Sequence, residues 1–321
     1  MNRYLLLLMV TLLLNGCAPM AKKEAAPPES TAVQYGNPDE VDTAALKACD
    51  GSAPVIAIAA ATDHGSTEIR CITAYTNSKA LTDTLQLNSV LLVLDIDDTL
   101  ITSDTFFGSD RWFNWQNKSD TPTADKVTCL YDVVALNYEA GTQKAVEKET
   151  GGVEFINKQK VPKLLLTSRG ATSRGGTERE LLHAGYELPL NLLPNNDGIS
   201  WINVKDGKAA PISYANGIQM VTGRDKGQQL LDLLGRLKLR YDNIVLIDDG
   251  EANIKSLRNA LPVHGINYYG FHYKGVTKGA ITDTEKDESH ATWLLWSKLI
   301  EVGYKKRWAR WQEKDKAGCG V

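Results

Sequence analysis

Asp95, Asp97 and Asp98 put three carboxylates into four positions, directly behind the apolar run 89–94 (SVLLVL). Like charges this close repel one another, so a cation should sit among them. Side chains at 95 and 97 share one side of an extended chain and can address a single site. A hard divalent ion with oxygen ligands, Mg²⁺ above all, would neutralise them. A lone DxD is weak evidence, because acidic turns are common. Two further apolar runs strengthen it. Run 243–247 (NIVLI) delivers Asp248-Asp249, and run 163–166 (KLLL) delivers Thr167-Ser168-Arg169, two hydroxyls and a cation suited to anionic oxygens. Lys226, within Gly223-Arg224-Asp225-Lys226-Gly227, opens a helix and can offset the carboxylates. Any one of Asp95, Asp97, Thr167, Lys226 and Asp248 reads as a solvated turn residue. All five in order, at the ends of apolar runs, point to one site. Asp249 and Asn253 also suit an ordinary helix N-terminus.

Groups scattered this widely need a scaffold that gathers strand ends. Short, continuous apolar runs suit strands buried on both faces. Between them lie helical patterns at 177–184, ending at Gly185, at 226–239 and at 251–261. This alternation predicts an α/β protein with a doubly wound, mostly parallel, Rossmann-like sheet. In such sheets ligands bind outside the carboxyl ends of the strands. The interval between Asp95 and Thr167 far exceeds a βαβ crossover, so a small cap is expected at about 104–160, after the first motif strand. Phe106, Phe107, Trp112, Phe113 and Trp115 near its start would pack the cap or touch an apolar or nucleobase-like leaving group. A second insertion, about 187–222, carries strand-like 199–204 and 211–221 and would form a β-hairpin beside the site. Arg111, Arg169 and Arg174 are candidates for a substrate anion, or ordinary ion-pair residues.

The pattern resembles the haloacid dehalogenase (HAD) superfamily of Mg²⁺-dependent phosphohydrolases. It is carried by LLVLDIDDT (91–99), Thr167, Lys226, and Asp248-Asp249 with Asn253. The words FFGSDRWFNWQ (106–116), RDKG (224–227), IDDGEANIKSL (247–257) and YYGFHYKG (268–275) resemble a bacterial HAD branch of unknown function. The resemblance implies that Asp95 is the nucleophile and becomes an aspartyl-phosphate. It makes Asp97 the acid that protonates the leaving oxygen and the base that activates water. Mg²⁺ would be held by the Asp95 carboxylate, the Asp97 carbonyl and Asp248, with Asp249 and Asn253 in support. Thr167 and Lys226 would hold the phosphoryl oxygens of a small phosphorylated substrate. Asp98 falls outside this catalytic set. A non-catalytic HAD-fold lipoprotein with a binding or envelope role, and a phosphotransferase, are the alternative outcomes.

The chain has 321 residues, 43% hydrophobic and 23% charged, enough to bury a sizeable core and unlike a disordered chain. Its formal charge of −3 gives no global basic field, so no nucleic-acid partner is expected. Residues 1–16 carry Arg3 and an apolar run too short to span a bilayer. Leu14-Asn15-Gly16-Cys17 resembles a bacterial lipoprotein cleavage box, which implies lipidation of Cys17 after removal of 1–16. Residues 17–41 then read as a flexible tether. In the families this resembles, Ala18 favours the outer membrane, facing the periplasm. There Cys49, Cys71, Cys129 and Cys319 allow three pairings or stay as buried thiols, with Cys49–Cys71 the shortest loop. The main domain is expected over 42–315, followed by a tail at 316–321. Trp293, Trp296, Ile300, Tyr304, Trp308 and Trp311 form an aromatic stripe on a helix at about 290–314. It would pack on the domain or lie on a membrane surface.

Overall fold

The computed structural model describes residues 64–188 and 198–313, the strand at 56–58, Cys49 and Cys319. The segments 1–16 and 17–41 with Cys17, residues 189–197, and the tail apart from Cys319 lie outside the described residues.

Runs of Val, Leu and Ile make the central strands. In β3 (Val90–Leu94), β6 (Lys163–Thr167) and β10 (Asn243–Asp248) every residue is buried. Both faces are therefore covered, as continuous apolar strands require. They join β1 (Ile56–Ile58), β2 (Thr67–Ile72), β7 (Ile199–Lys205), β8 (Lys208–Ala215), β9 (Ile218–Met220) and β11 (Asn267–Tyr273) in a nine-stranded sheet of order β1-β2-β11-β10-β3-β6-β9-β8-β7. Pairing is parallel from β2 through to β9 and antiparallel at the outer pairs. The fold is α/β, with a mostly parallel Rossmann-like sheet flanked by helices.

Those helices include α1 (Lys79–Thr84), α4 (Gly152–Lys158), α5 (Arg174–His183), α6 (Lys226–Leu237) and α7 (Glu251–Ala260). Leu81, Ile156 and Leu181 from three of them bury into the main cluster with Leu92, Leu94, Leu165, Val245 and Ile247 of the sheet. Between β3 and β6 a ribbon of β4 (Ile101–Ser103) and β5 (Gln143–Ala145) pairs Ile101 with Ala145 and carries α2 (Asp110–Asn117) and α3 (Leu130–Ala140) at its far end. The expected cap interval thus divides. Helices α2 and α3 form a separate layer, whereas residues 146–158 pack on the main core through Val146, Val153, Phe155 and Ile156.

The hairpin expected in the second insertion is present as β7 paired antiparallel with β8, and two details are corrected by the chain's own geometry. Strand-like 211–221 is broken at Asn216-Gly217, both at positive φ, into β8 and β9. Strand β9 then runs parallel beside β6, so this interval widens the main sheet. The terminal stripe occupies two helices, α8 (Asp283–Gly303) and α9 (Lys305–Gln312), which part at Tyr304. Helix α8 starts earlier than the aromatic pattern because Thr282 and Glu285 make a capping box.

The stripe packs on the cap. Trp112 is fully buried, and Phe107, Trp115, Val133 and Val134 form a second cluster with Ile300 and Trp311. Trp112 Nε1 donates to Ser289 Oγ at 2.7 Å, and Trp311 Nε1 donates to Asp132 Oδ2 at 2.7 Å. Disulfides join Cys49 to Cys71, the shortest loop, and Cys129 to Cys319. No helix among the described residues is long and apolar enough to cross a membrane.

Candidate active site

The ladder between β3 and β10 pairs Leu94 with Ile247, and Asp95 N–H extends it by donating to Ile247 O at 3.0 Å. Asp95 therefore leaves its strand beside Asp248, the last residue of β10. The chain then turns tightly, with the amides of Thr99, Leu100 and Ile101 all directed at Ile96 O and Asp98 at φ 53°. On the other side, Thr167 ends β6, whose Leu165 pairs with Leu94. Helix α6 is capped by the Asp225 carboxylate, which accepts from Gln228 N at 2.9 Å and places Lys226 in the first turn. Gly227 lets this turn approach α7, since a Cβ there would lie 2.6 Å from Ser256 O.

Carboxylate oxygens of Asp95, Asp248 and Asp249 lie within 4.8 Å of one another. Lys226, 1% exposed, donates to Asp95 Oδ1 at 2.7 Å and to Asp248 Oδ2 at 2.8 Å. Asp248 is oriented further by Gly250 N at 2.8 Å and by Asn253 Nδ2 at 2.9 Å, both on Oδ1. Burial, with Asp248 beside it, pushes the Asp95 carboxyl well above its usual range even though Lys226 works against this. Burial pushes Asp249 up to about 6, partly offset by Lys278. Burial also opposes the Lys226 charge, but Asp248 and Asp95 outweigh it and hold the ammonium protonated. Lys226 serves Asp95 and Asp248, and Lys278 serves Asp249 together with Asp98 and Asp110, so five carboxylates share two lysines and the cluster is short of positive charge. An oxygen-only, anionic, pre-gathered donor set fits Mg²⁺.

Asp97 is turned elsewhere. Its two oxygens accept from Arg169, Oδ1 from Nη2 at 2.7 Å and Oδ2 from Nε at 3.0 Å. Arg169 also donates to Thr177 Oγ1 at 2.9 Å and Glu180 Oε2 at 3.3 Å, and lies 3.6 Å over the ring of Tyr138. Thr167 Oγ1 accepts from Arg169 N at 3.1 Å, leaving its own O–H to donate. The other two arginine candidates are structural. Arg111 pairs with Glu285, and Arg174 binds Glu178 and carbonyls of Ser213, Ala215 and Ile218.

Sequence reasoning missed Lys278. Its Nζ donates to Asp110 and Asp249 at 2.7 Å and lies 2.9 Å from Asp98, so it ties the cap helix α2 to the acidic turns. It sits past the last motif word in a loop without a pattern, and no spacing signal marks it. Tyr131 and Tyr138 were missed as well. They line, with Asp97, Arg169 and Phe113, a cavity of about 470 Å³ between α2, α3 and the turn after β6.

Fold and site together define an α/β protein with a buried acidic cluster at the carboxyl ends of parallel strands. The chain belongs to the family described as "Protein of unknown function (DUF2608)", whose model matches residues 68–302. A search of curated proteins finds no match. Among solved structures, the chain is similar to a haloacid dehalogenase-like family hydrolase from Streptococcus pneumoniae, at a TM-score of 0.35 and 11% identity, over 65% of this chain and 99% of that one.

Proposed function

We propose that this protein is a Mg²⁺-dependent phosphomonoester hydrolase working through an aspartyl-phosphate. The reading is carried by one observation: Asp95, Asp248 and Asp249, from two strand ends 153 residues apart in sequence, bring carboxylate oxygens within 4.8 Å of one another, with Lys226 bridging Asp95 and Asp248.

Asp95, Asp248 and Asp249 would hold the Mg²⁺, which when bound offsets the negative charge of phosphoryl oxygens. Asp95, fixed by its backbone bond to β10, attacks phosphorus. Lys226 and the Thr167 hydroxyl hold the phosphoryl oxygens as charge shifts onto them. Asp97 protonates the departing oxygen and afterwards takes a proton from the attacking water, steps that require its carboxyl to be protonated and swung out of the Arg169 fork that holds both its oxygens in this structure. Asn253 and the Gly250 amide keep Asp248 in place. We further propose that the chain is lipid-anchored through Cys17 in a bacterial envelope, in the outer membrane and facing the periplasm.

Phosphate release from a panel of phosphomonoesters with added Mg²⁺ tests the chemistry. Turnover should disappear with a chelator and fall by about a thousandfold or more in Asp95→Asn. A panel without any turnover would favour a binding protein that has kept the scaffold. For location, Cys17→Ala should move the chain from the membrane to the soluble fraction; retention in the membrane would sink the anchor.

A further inference from the structure

The cavity of about 470 Å³ under the cap is lined by Asp97, two residues past Asp95, and by Ser168 and Arg169, which follow Thr167. Asp97, the group assigned above to the leaving oxygen, lines it, which makes it the space nearest that group for whatever departs from phosphorus. Its walls state what that group is. Phe113 of α2 and Tyr131 of α3 meet edge to face, with centroids 5.9 Å apart. Tyr131 is 60% exposed. Tyr138 stands further in, one face taken by the Arg169 guanidinium. Val134 completes the apolar side.

Charge narrows the occupant. Arg169 is spent on Asp97 and Glu180, and the other carboxylate on the wall, Asp110, is held by Lys278. A leaving group with its own negative charge would meet two carboxylates and, among the described residues, no free cation on this wall. A sugar finds hydrogen-bonding partners on the polar side of the wall, at Asn114, Asn117 and Thr222, and none at Phe113 and Val134, so it suits a linker and not the group seated on the apolar side. A flat ring gains face and edge contacts with Phe113 and Tyr131. The volume falls in the usual range for small-molecule sites.

We infer that the cavity between cap and core is a leaving-group site for phosphomonoesters whose alcohol carries an uncharged aromatic ring, joined to the ester oxygen directly or through a sugar. This rests on the phosphatase reading above and adds the substrate class to it. Phe113 and Tyr131 are its specificity-determining residues.

Two measurements on the full-length chain test it. The first compares kcat/KM for phenyl phosphate, a nucleoside 5′-monophosphate and glycerol phosphate. One of the two aromatic esters should exceed glycerol phosphate by about tenfold or more, and Tyr131→Ala should cut that ratio by about fivefold. Which ester leads reports whether the ring abuts the ester oxygen. Tyr131 is exposed, so its loss spares the fold. The second is calorimetric titration of Asp95→Asn with Mg²⁺, using phenyl phosphate against inorganic phosphate. Tyr131→Ala in that background should weaken phenyl phosphate alone. A ratio near one, unmoved by Tyr131→Ala, overturns the inference and leaves the phosphatase intact. Ring-preferring binding without hydrolysis of any ester supports the cavity and overturns the phosphatase. Neither hydrolysis nor ring preference overturns both.

Discussion

Core and cap are held together by different physics. In the core, parallel ladders fix every strand end, and the carboxylates of Asp95 and Asp248 inherit their positions from backbone hydrogen bonds. In the cap, α2 and α3 share no sheet beyond the short ribbon of β4 and β5. They are held by indole rings from α8 and α9, by two indole hydrogen bonds and by the Cys129–Cys319 link. The difference separates tasks. The acidic cluster sits on ladders, and the residues that line the cavity sit on side-chain packing.

The contrast can be broken most strongly at Lys226. Lys226→Met leaves Asp95 and Asp248 buried as unpaired like charges and should cost about 3–5 kcal/mol. Chemical denaturation checks this, and Mg²⁺ should return part of the loss. A change below 1 kcal/mol would mean the cluster is not the electrostatic centre of the core. Trp112→Ala should cost about 3 kcal/mol by emptying the cap's largest buried site. Hydrogen exchange should then show faster exchange in α2, α3 and α8 while β3 and β10 stay protected. Uniform loss of protection would show that core and cap are one cooperative unit.

The smallest effect concerns protons. Asp249 is pushed up to about 6 from an ordinary 3.8, so the folded state binds more protons than the unfolded one between those values. The contribution of Asp249 to stability without metal should therefore fall as pH rises from about 4 to about 6, and the raised carboxyls of Asp95 and of Glu180, the latter pushed by burial up to about 8, carry the decline further. At pH 7, Mg²⁺ at about a hundred times its Kd should add about 2.7 kcal/mol. Thermal melts across pH, with and without Mg²⁺, read both. A stability that rises over this interval would reverse the assignment.

Much of the core was legible in the sequence. Continuous apolar runs mark β3, β6 and β10 because strands covered on both faces carry no polar alternation. The charged residues behind them are conspicuous for the same reason. The substrate side was not legible. Phe106, Phe107, Trp112 and Trp115 look like a ligand-binding word but pack inside the cap or against its neighbours, and Phe113 alone of the five reaches the cavity. Its partners Tyr131 and Tyr138 lie on α3, which follows Cys129 at φ 58° and carries no side-chain cap to announce it. Lys278 depends on the fold of a loop, and pairing across distant loops leaves no periodicity to read.

The link between Cys129 and Cys319 spans 190 positions. During synthesis its two ends are born far apart in time. The residues of the acidic cluster have all emerged once Asp249 is made, yet the covalent tie on the cap waits for residue 319. Any shortened product ending just before that residue would keep its cluster of carboxylates and lose the covalent stitch that holds α3 to the tail, leaving the cap to its indole packing.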